Sequence, residues 1–161
     1  MKILIIYFTL TGRTKKVAEV IADELSDHEV DIMPIIYEKE EEFKFKKEEE
    51  KLARGDMSSL TYNEEIFNPE SYDLICLGVP TWGGQPSYVF NGYIENCNIE
   101  GKEFVIFNTC RFLSGKTLTD MKKKIEMKGG KVIEGKMFKV FFKMGEKKAR
   151  KFGNYLKEIL A

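Results

Sequence analysis

The sequence has few of the residues that form disulfides or bind metals. Its 161 residues include three cysteines and a single histidine, His28. Cys76, Cys97 and Cys110 are widely spaced, form no CxxC pair and make no metal-ligand pattern with His28. This scarcity excludes a disulfide framework and a cysteine–histidine metal site, and it favours a reducing compartment such as the cytoplasm.

Long apolar runs are also absent. No stretch approaches the roughly twenty apolar residues that a membrane-spanning helix needs, and the chain begins with a strand pattern rather than a signal peptide. Hydrophobic residues make up 43% of the chain and charged residues 32%. These values predict one globular domain over residues 1–161, with no membrane partner.

The chain has no net charge, but its charges are segregated. Residues 1–110 carry 11 basic and 21 acidic side chains, whereas residues 111–161 carry 15 basic and 5 acidic ones. A basic C-terminal third raises the possibility of nucleic-acid binding. Its lysines lie among apolar residues at helical spacing and no nucleic-acid motif accompanies them, so we predict a solvated face first and an acidic protein partner second.

Apolar strands alternate with amphipathic helices along the chain. The pattern predicts buried strands at residues 2–7, 29–36, 73–79, 103–108 and 131–142, with helices between and after them. Strands of this kind indicate a parallel sheet covered on both faces, a three-layer α/β/α arrangement. Right-handed crossovers favour a doubly wound five-stranded sheet with strand order 2-1-3-4-5, which binds ligands at the carboxyl ends of its first and third strands.

Residues 37–69 interrupt this alternation. The segment is dense in both signs of charge, and Phe43, Phe45, Leu52 and Met57 supply apolar anchors. We predict a surface excursion with a short helix near residues 44–54. A disordered tract is the alternative, although the aromatic residues disfavour it.

Three loops are expected to meet at the carboxyl edge of the sheet. The first joins the first strand to a helix and contributes Thr9, Leu10, Thr11, Gly12, Arg13 and Thr14. Its hydroxyl groups and the free N–H groups of the helix N-terminus suit a phosphate. The alternative is a threonine that merely caps the helix.

The other two loops offer a surface for a planar ring. One contains Pro80, Thr81, Trp82, Gly83 and Gly84, and the other contains Thr109, Cys110, Arg111, Phe112, Ser114 and Gly115. Trp82 could stack on such a ring, or it could fold back on the neighbouring helix. Phe112 could close the opposite side of the ring, or it could be a core residue or loop anchor.

Two motifs in these loops resemble those of the flavodoxin family. Thr9, Thr11, Gly12 and Thr14 fit the pattern T-x-T-G-x-T, and Thr81–Gly83 fits T-W-G. Flavodoxin is itself an example of the strand order 2-1-3-4-5, so the resemblance and the sheet order are not independent arguments. Both predict a flavodoxin-like fold, and the resemblance is to the short-chain type. The resemblance implies noncovalent FMN, with its phosphate in the first loop and its isoalloxazine ring between the other two.

The resemblance implies an electron carrier without catalytic residues, because the flavin supplies the redox chemistry. Such a protein shuttles electrons between redox partner proteins through the semiquinone and hydroquinone states. It also implies a turn at Gly83 and Gly84, which we expect to be type II with positive φ at Gly84. Cys110, Arg111 and Phe112 depart from the acidic residues and tyrosine often found in the third flavodoxin loop. Because a positive charge favours the anionic hydroquinone, we expect Arg111 to raise the second reduction potential of the flavin.

Two alternatives remain. One is an FMN-dependent oxidoreductase of the same fold, such as a quinone or small-molecule reductase, which would accept electrons directly from a nicotinamide. The other is an interaction module without a cofactor.

Overall fold

The computed structural model describes residues 1–38, 44–139 and 144–161. The strands in these ranges are β1 (Lys2–Phe8), β2 (Glu29–Tyr37), β3 (Leu60–Thr61), β4 (Leu74–Trp82), β5 (Gln85–Pro86), β6 (Glu103–Cys110) and β7 (Lys131–Lys139). The α-helices there are α1 (Arg13–Glu24), α2 (Phe45–Ala53), α3 (Tyr88–Asn96), α4 (Thr117–Met127) and α5 (Met144–Ile159). Within the same ranges, none of the helices combines the length and the apolar character that crossing a bilayer requires.

Five parallel strands form the body of the sheet, in the spatial order β2-β1-β4-β6-β7. Numbered along the chain, this is the predicted order 2-1-3-4-5, and the flavodoxin-like fold is confirmed. The described residues contain two further strands of two residues each: β3 pairs antiparallel with β2, and β5 pairs antiparallel with β4. Residues 140–142 of the predicted last strand lie outside the described ranges.

The sheet separates two apolar layers, because successive side chains of each strand point to opposite faces. Leu4, Ile6 and Phe8 of β1 belong to one buried cluster, with residues of α2, α3 and α4. Ile3, Ile5 and Tyr7 belong to the other, with residues of α1 and α5. This arrangement is the expected three-layer one, and it brings the carboxyl ends of β1, β4 and β6 to the same edge.

The charged excursion contains the predicted helix, which packs against the domain. Leu52 of α2 is completely buried, and its carbonyl accepts a hydrogen bond of 2.9 Å from Asn91 Nδ2 of α3. Gly92 of α3 leaves room for this contact, since a Cβ atom there would lie 2.8 Å from Leu52 Cδ2. The anchor Met57 is also buried, whereas Phe43 and the side chain of Phe45 lie outside the described part of the chain.

We expect Leu52→Ala to lower the free energy of unfolding by about 2–5 kcal/mol, as for other buried leucines. The matched control is Lys47→Ala on the exposed side of α2, which should change it by less than about 0.5 kcal/mol. Urea unfolding measures both. Equal, small effects would contradict the packing of α2 and favour the disordered alternative.

Candidate functional site

The three predicted loops meet around one pocket of about 270 Å³ at the carboxyl ends of β1, β4 and β6. The residues that line it are Thr9, Leu10, Thr11, Arg13, Thr14, Pro80, Thr81, Trp82, Thr109, Cys110 and Arg111. All of them were predicted site residues. Their contacts with a ligand stay a prediction.

The first loop leaves the N-terminus of α1 open. Gly12 precedes the helix in a left-handed conformation with φ of 84°, and no side chain caps the first turn. Thr9 Oγ1 accepts a hydrogen bond of 2.9 Å from the N–H of Gly12. Gly12 precedes the helix, so this hydrogen bond stabilises the bend of the loop and leaves the first turn of the helix uncapped. The alternative of a threonine cap is therefore wrong, and the first-turn N–H groups with their positive dipole end are available to an anion.

A buried hydroxyl pair ties the first loop to the third. Thr14 Oγ1 and Thr109 Oγ1 are 2.8 Å apart, and both residues are almost completely buried. Each hydroxyl carries one hydrogen, so the bond uses one of the two and leaves the other for a further acceptor. Because both residues line the pocket, this hydrogen is a candidate donor to a bound ligand.

A second polar network holds the end of β4. Asn108 Nδ2 donates to Thr81 Oγ1 over 2.7 Å, and Thr81 Oγ1 lies 2.8 Å from Thr117 Oγ1 of α4. Asn108 Oδ1 is buried and has no hydrogen-bond partner among the described residues. Asn108 and Thr117 do not line the pocket but position Thr81, which does. This role of Thr117 was not predictable from the sequence, because the contact depends on how α4 packs.

The turn at Gly83 and Gly84 differs from the expected type II. Both residues have positive φ, 58° and 77°, as in a type I′ turn. The reason is that they form the two-residue loop of the β4–β5 hairpin, where type I′ matches the twist of the strands. The Gly84 carbonyl accepts a hydrogen bond of 2.8 Å from Lys116 N–H, which joins the second loop to the third.

Trp82 packs on the neighbouring helix, as one of its two predicted roles requires, and its stacking on a planar ring stays a prediction. The side chain is half-buried and lines the pocket. Its ring also makes edge-to-face contacts with Phe8 and with Tyr88 of α3, each with centroids 5.6 Å apart. These contacts fix the orientation of the indole beside the pocket, so that a planar ligand would meet a surface already in place.

The third loop divides into lining and exposed residues. Thr109, Cys110 and Arg111 line the pocket, whereas Phe112 does not line it and is 71% exposed. Phe112 is thus not a core residue, and its contact with a planar ring stays a prediction. Burial raises the pKa of the Cys110 thiol, with Lys139 opposing the shift, so Cys110 is not an activated thiolate.

Besides Phe112, five of the predicted site residues do not line the pocket: Gly12, Gly83, Gly84, Ser114 and Gly115. The residue before α4 is Lys116, and no side chain caps this helix. No cluster of metal-ligating side chains occurs within the described ranges.

The sequence profile described as Flavodoxin matches residues 2–148. The chain belongs to the flavodoxin family. No curated protein matches the sequence. Among solved structures, the oxidised Flavodoxin 2 of Bacillus cereus is 22% identical, with 99% of both chains covered and a TM-score of 0.63.

Two further structures share the flavodoxin fold. The flavodoxin, WrbA-like protein of Agrobacterium tumefaciens is 17% identical over 98% of this chain and 96% of its own, with a TM-score of 0.66. A flavoprotein of Lactobacillus acidophilus NCFM, solved in complex with FMN, is 22% identical over 84% of this chain and 92% of its own, with a TM-score of 0.61. At these identities the likeness concerns the fold.

The close approach of two glycines in this flavodoxin allows a matched test. A Cβ atom on Gly115 would lie 2.5 Å from the Gly84 carbonyl oxygen, whereas one on Gly101 would meet nothing within 4 Å. Both residues have positive φ, 53° and 75°, so an alanine is strained by a comparable amount at either place.

We therefore expect Gly115→Ala to cost about 1–3 kcal/mol more than Gly101→Ala, because only the first displaces the Gly83–Gly84 turn. Thermal and urea unfolding of the two variants give the difference. Equal losses would show that the second and third loops do not depend on this contact.

Proposed function

We propose that this flavodoxin binds FMN noncovalently and transfers electrons between redox partner proteins. The observation that carries the proposal is the pocket itself, which joins an uncapped helix N-terminus, a buried threonine pair and an indole at one edge of the sheet. The FMN complex of the Lactobacillus acidophilus flavoprotein, which has the same fold, supports it.

The residues present suit the two ends of FMN. The open first turn of α1 and the spare hydroxyl hydrogen of the Thr14–Thr109 pair match the needs of a phosphate, which accepts hydrogen bonds and carries negative charge. Trp82 offers an oriented aromatic surface for the ring. When bound, FMN supplies the redox chemistry, and the protein binds it, orients it and limits its contact with water.

The lining residues suit an electron carrier, although an FMN-dependent oxidoreductase would also take its redox chemistry from the flavin. They include no carboxylate and no histidine, and the raised pKa of Cys110 keeps its thiol protonated near neutral pH. The lining therefore lacks a side chain that exchanges protons readily at pH 7, as general acid–base catalysis requires. An electron carrier needs no such group.

A titration followed by reduction tests the proposal. The protein should quench FMN fluorescence with one site per chain, accept electrons from dithionite and return them to an external acceptor protein. It should not oxidise NADPH or NADH rapidly on its own. Rapid oxidation would instead favour the FMN-dependent oxidoreductase, and absence of FMN binding would favour a module without a cofactor.

We expect Thr14→Val to weaken FMN binding about 10-fold to 100-fold, since hydrogen bonds to charged groups contribute about 1.5–3 kcal/mol. Thr119→Val, an exposed threonine of α4, is the control and should leave the affinity unchanged. Fluorescence titration gives both dissociation constants. Equal constants for the two variants would place the phosphate outside the first loop.

Arg111 should favour the fully reduced, anionic cofactor, because opposite charges attract. We expect Arg111→Glu to make the reduction potential of bound FMN more negative by tens of millivolts, with a smaller shift at high salt. Lys131→Glu makes the same change of charge at the opposite end of the sheet and should have little effect. Equal shifts in a spectroscopic redox titration would place Arg111 away from the ring.

A further inference from the structure

We propose that the mouth of the pocket is a docking surface for an acidic redox protein; this inference rests on the proposed function. The surface consists of Arg13, Arg111, Leu113, Lys116 and Lys139, together with Phe112. It joins positive charges that form no ion pair with a carboxylate of the described residues to exposed apolar side chains, directly beside the pocket.

The apolar part lies at the tip of the third loop. Leu113 is 78% exposed and follows Phe112, which is 71% exposed. The loop is continuous with the pocket because Arg111 lines it. Large apolar side chains exposed next to arginine are typical of the centres of protein interfaces, where aromatic residues and arginine are enriched and lysine is not.

The charged part surrounds this tip. In the portion of the chain that the structure describes, no carboxylate lies within 4 Å of Arg13, Arg111, Lys116 or Lys139. The next lysines along α1 differ, since Lys15 pairs with Glu19 and Lys16 with Glu146. Within the described residues, no ion pair therefore has to be broken before these cations contact a partner.

The positions of these cations favour a protein over a small anion. Arg13 begins the helix that follows β1, and Lys139 ends β7 opposite Cys110. Two strands, β4 and β6, separate β1 from β7, so the cations span about 14 Å at the usual spacing of strands. A small anion in the pocket reaches only the lining arginines, whereas a protein surface with acidic groups around an apolar spot reaches the whole set.

Native and succinylated cytochrome c form a matched pair of probes. Both carry the same haem, but succinylation replaces lysine ammonium groups with carboxylates and makes a basic protein acidic. After reduction by dithionite, each flavin gives up two electrons and two ferric haems become ferrous. We expect the succinylated form to react at least 10-fold faster at low ionic strength, with a rate that falls as salt is added.

Variants locate the effect on the molecule. Lys116→Gln and Lys139→Gln should each slow the reaction with succinylated cytochrome c about 2-fold to 5-fold at low salt, through loss of one attractive charge. Lys131→Gln is the matched control, because Lys131 lies at the other end of β7, about 26 Å from Lys139 at the usual rise per residue. It should leave the rate unchanged.

Leu113→Ser tests the apolar tip. It should slow the same reaction by a similar factor at both low and high salt and leave the FMN dissociation constant unchanged. In NMR spectra of the FMN-loaded protein, shifts on adding succinylated cytochrome c should concentrate at residues 111–116.

Three results would overturn the docking surface without overturning the proposed function. They are faster reaction with native cytochrome c, equal effects of Lys139→Gln and Lys131→Gln, and loss of FMN affinity in Leu113→Ser, which would make the tip a cover for the cofactor. Failure to bind FMN at all would overturn the proposed function and the surface with it.

Discussion

The hydrogen bond between Thr14 and Thr109 joins two residues that are 95 positions apart in the chain. Thr14 lies in the first turn of α1 and Thr109 near the end of β6, so the bond exists only when the strands have the order that places β1 and β6 on either side of β4. The burial of two hydroxyls is favourable only because each partners the other. The bond holds the first loop against the third, and the pocket between them, with Arg111 two residues after Thr109, depends on this contact.

The sequence predicted the fold well because its main features have local causes. Buried parallel strands such as β1 are continuous apolar runs, and the helices between them show apolar residues at helical spacing. The additional strands β3 and β5 were missed because each has only two residues, too few to show a periodicity, and β5 also contains Pro86. Missing β5 led directly to the wrong turn type at Gly83 and Gly84.

The candidate site could be predicted in part for a related reason. Loops at the carboxyl ends of parallel strands must share an edge, so the grouping of Thr9, Trp82 and Cys110 followed from the strand order. The pairing of Thr81 with Asn108 and Thr117 did not, because it depends on packing between β4, β6 and α4. The hydrogen bond from Lys116 N–H to the Gly84 carbonyl could not be predicted either, because it too depends on tertiary packing.

The structure distinguishes lysines of the basic C-terminal third that form ion pairs from lysines that do not, a difference that composition alone cannot show. Lys124 and Lys128 both pair with Glu95, which neutralises part of the α4 surface. Lys116 and Lys139 lie at the pocket edge without acidic partners in the described ranges. The lysines beside the pocket therefore differ from Lys124 and Lys128, since no carboxylate of the described residues pairs with them.

A crystal structure of the protein grown with excess FMN tests the central claim most directly. The account predicts electron density for the phosphate at the first turn of α1, within hydrogen-bonding distance of Thr14 and the neighbouring backbone N–H groups, and density for the ring against Trp82. Density for FMN at another surface, with the Thr9–Thr14 loop empty, would contradict it.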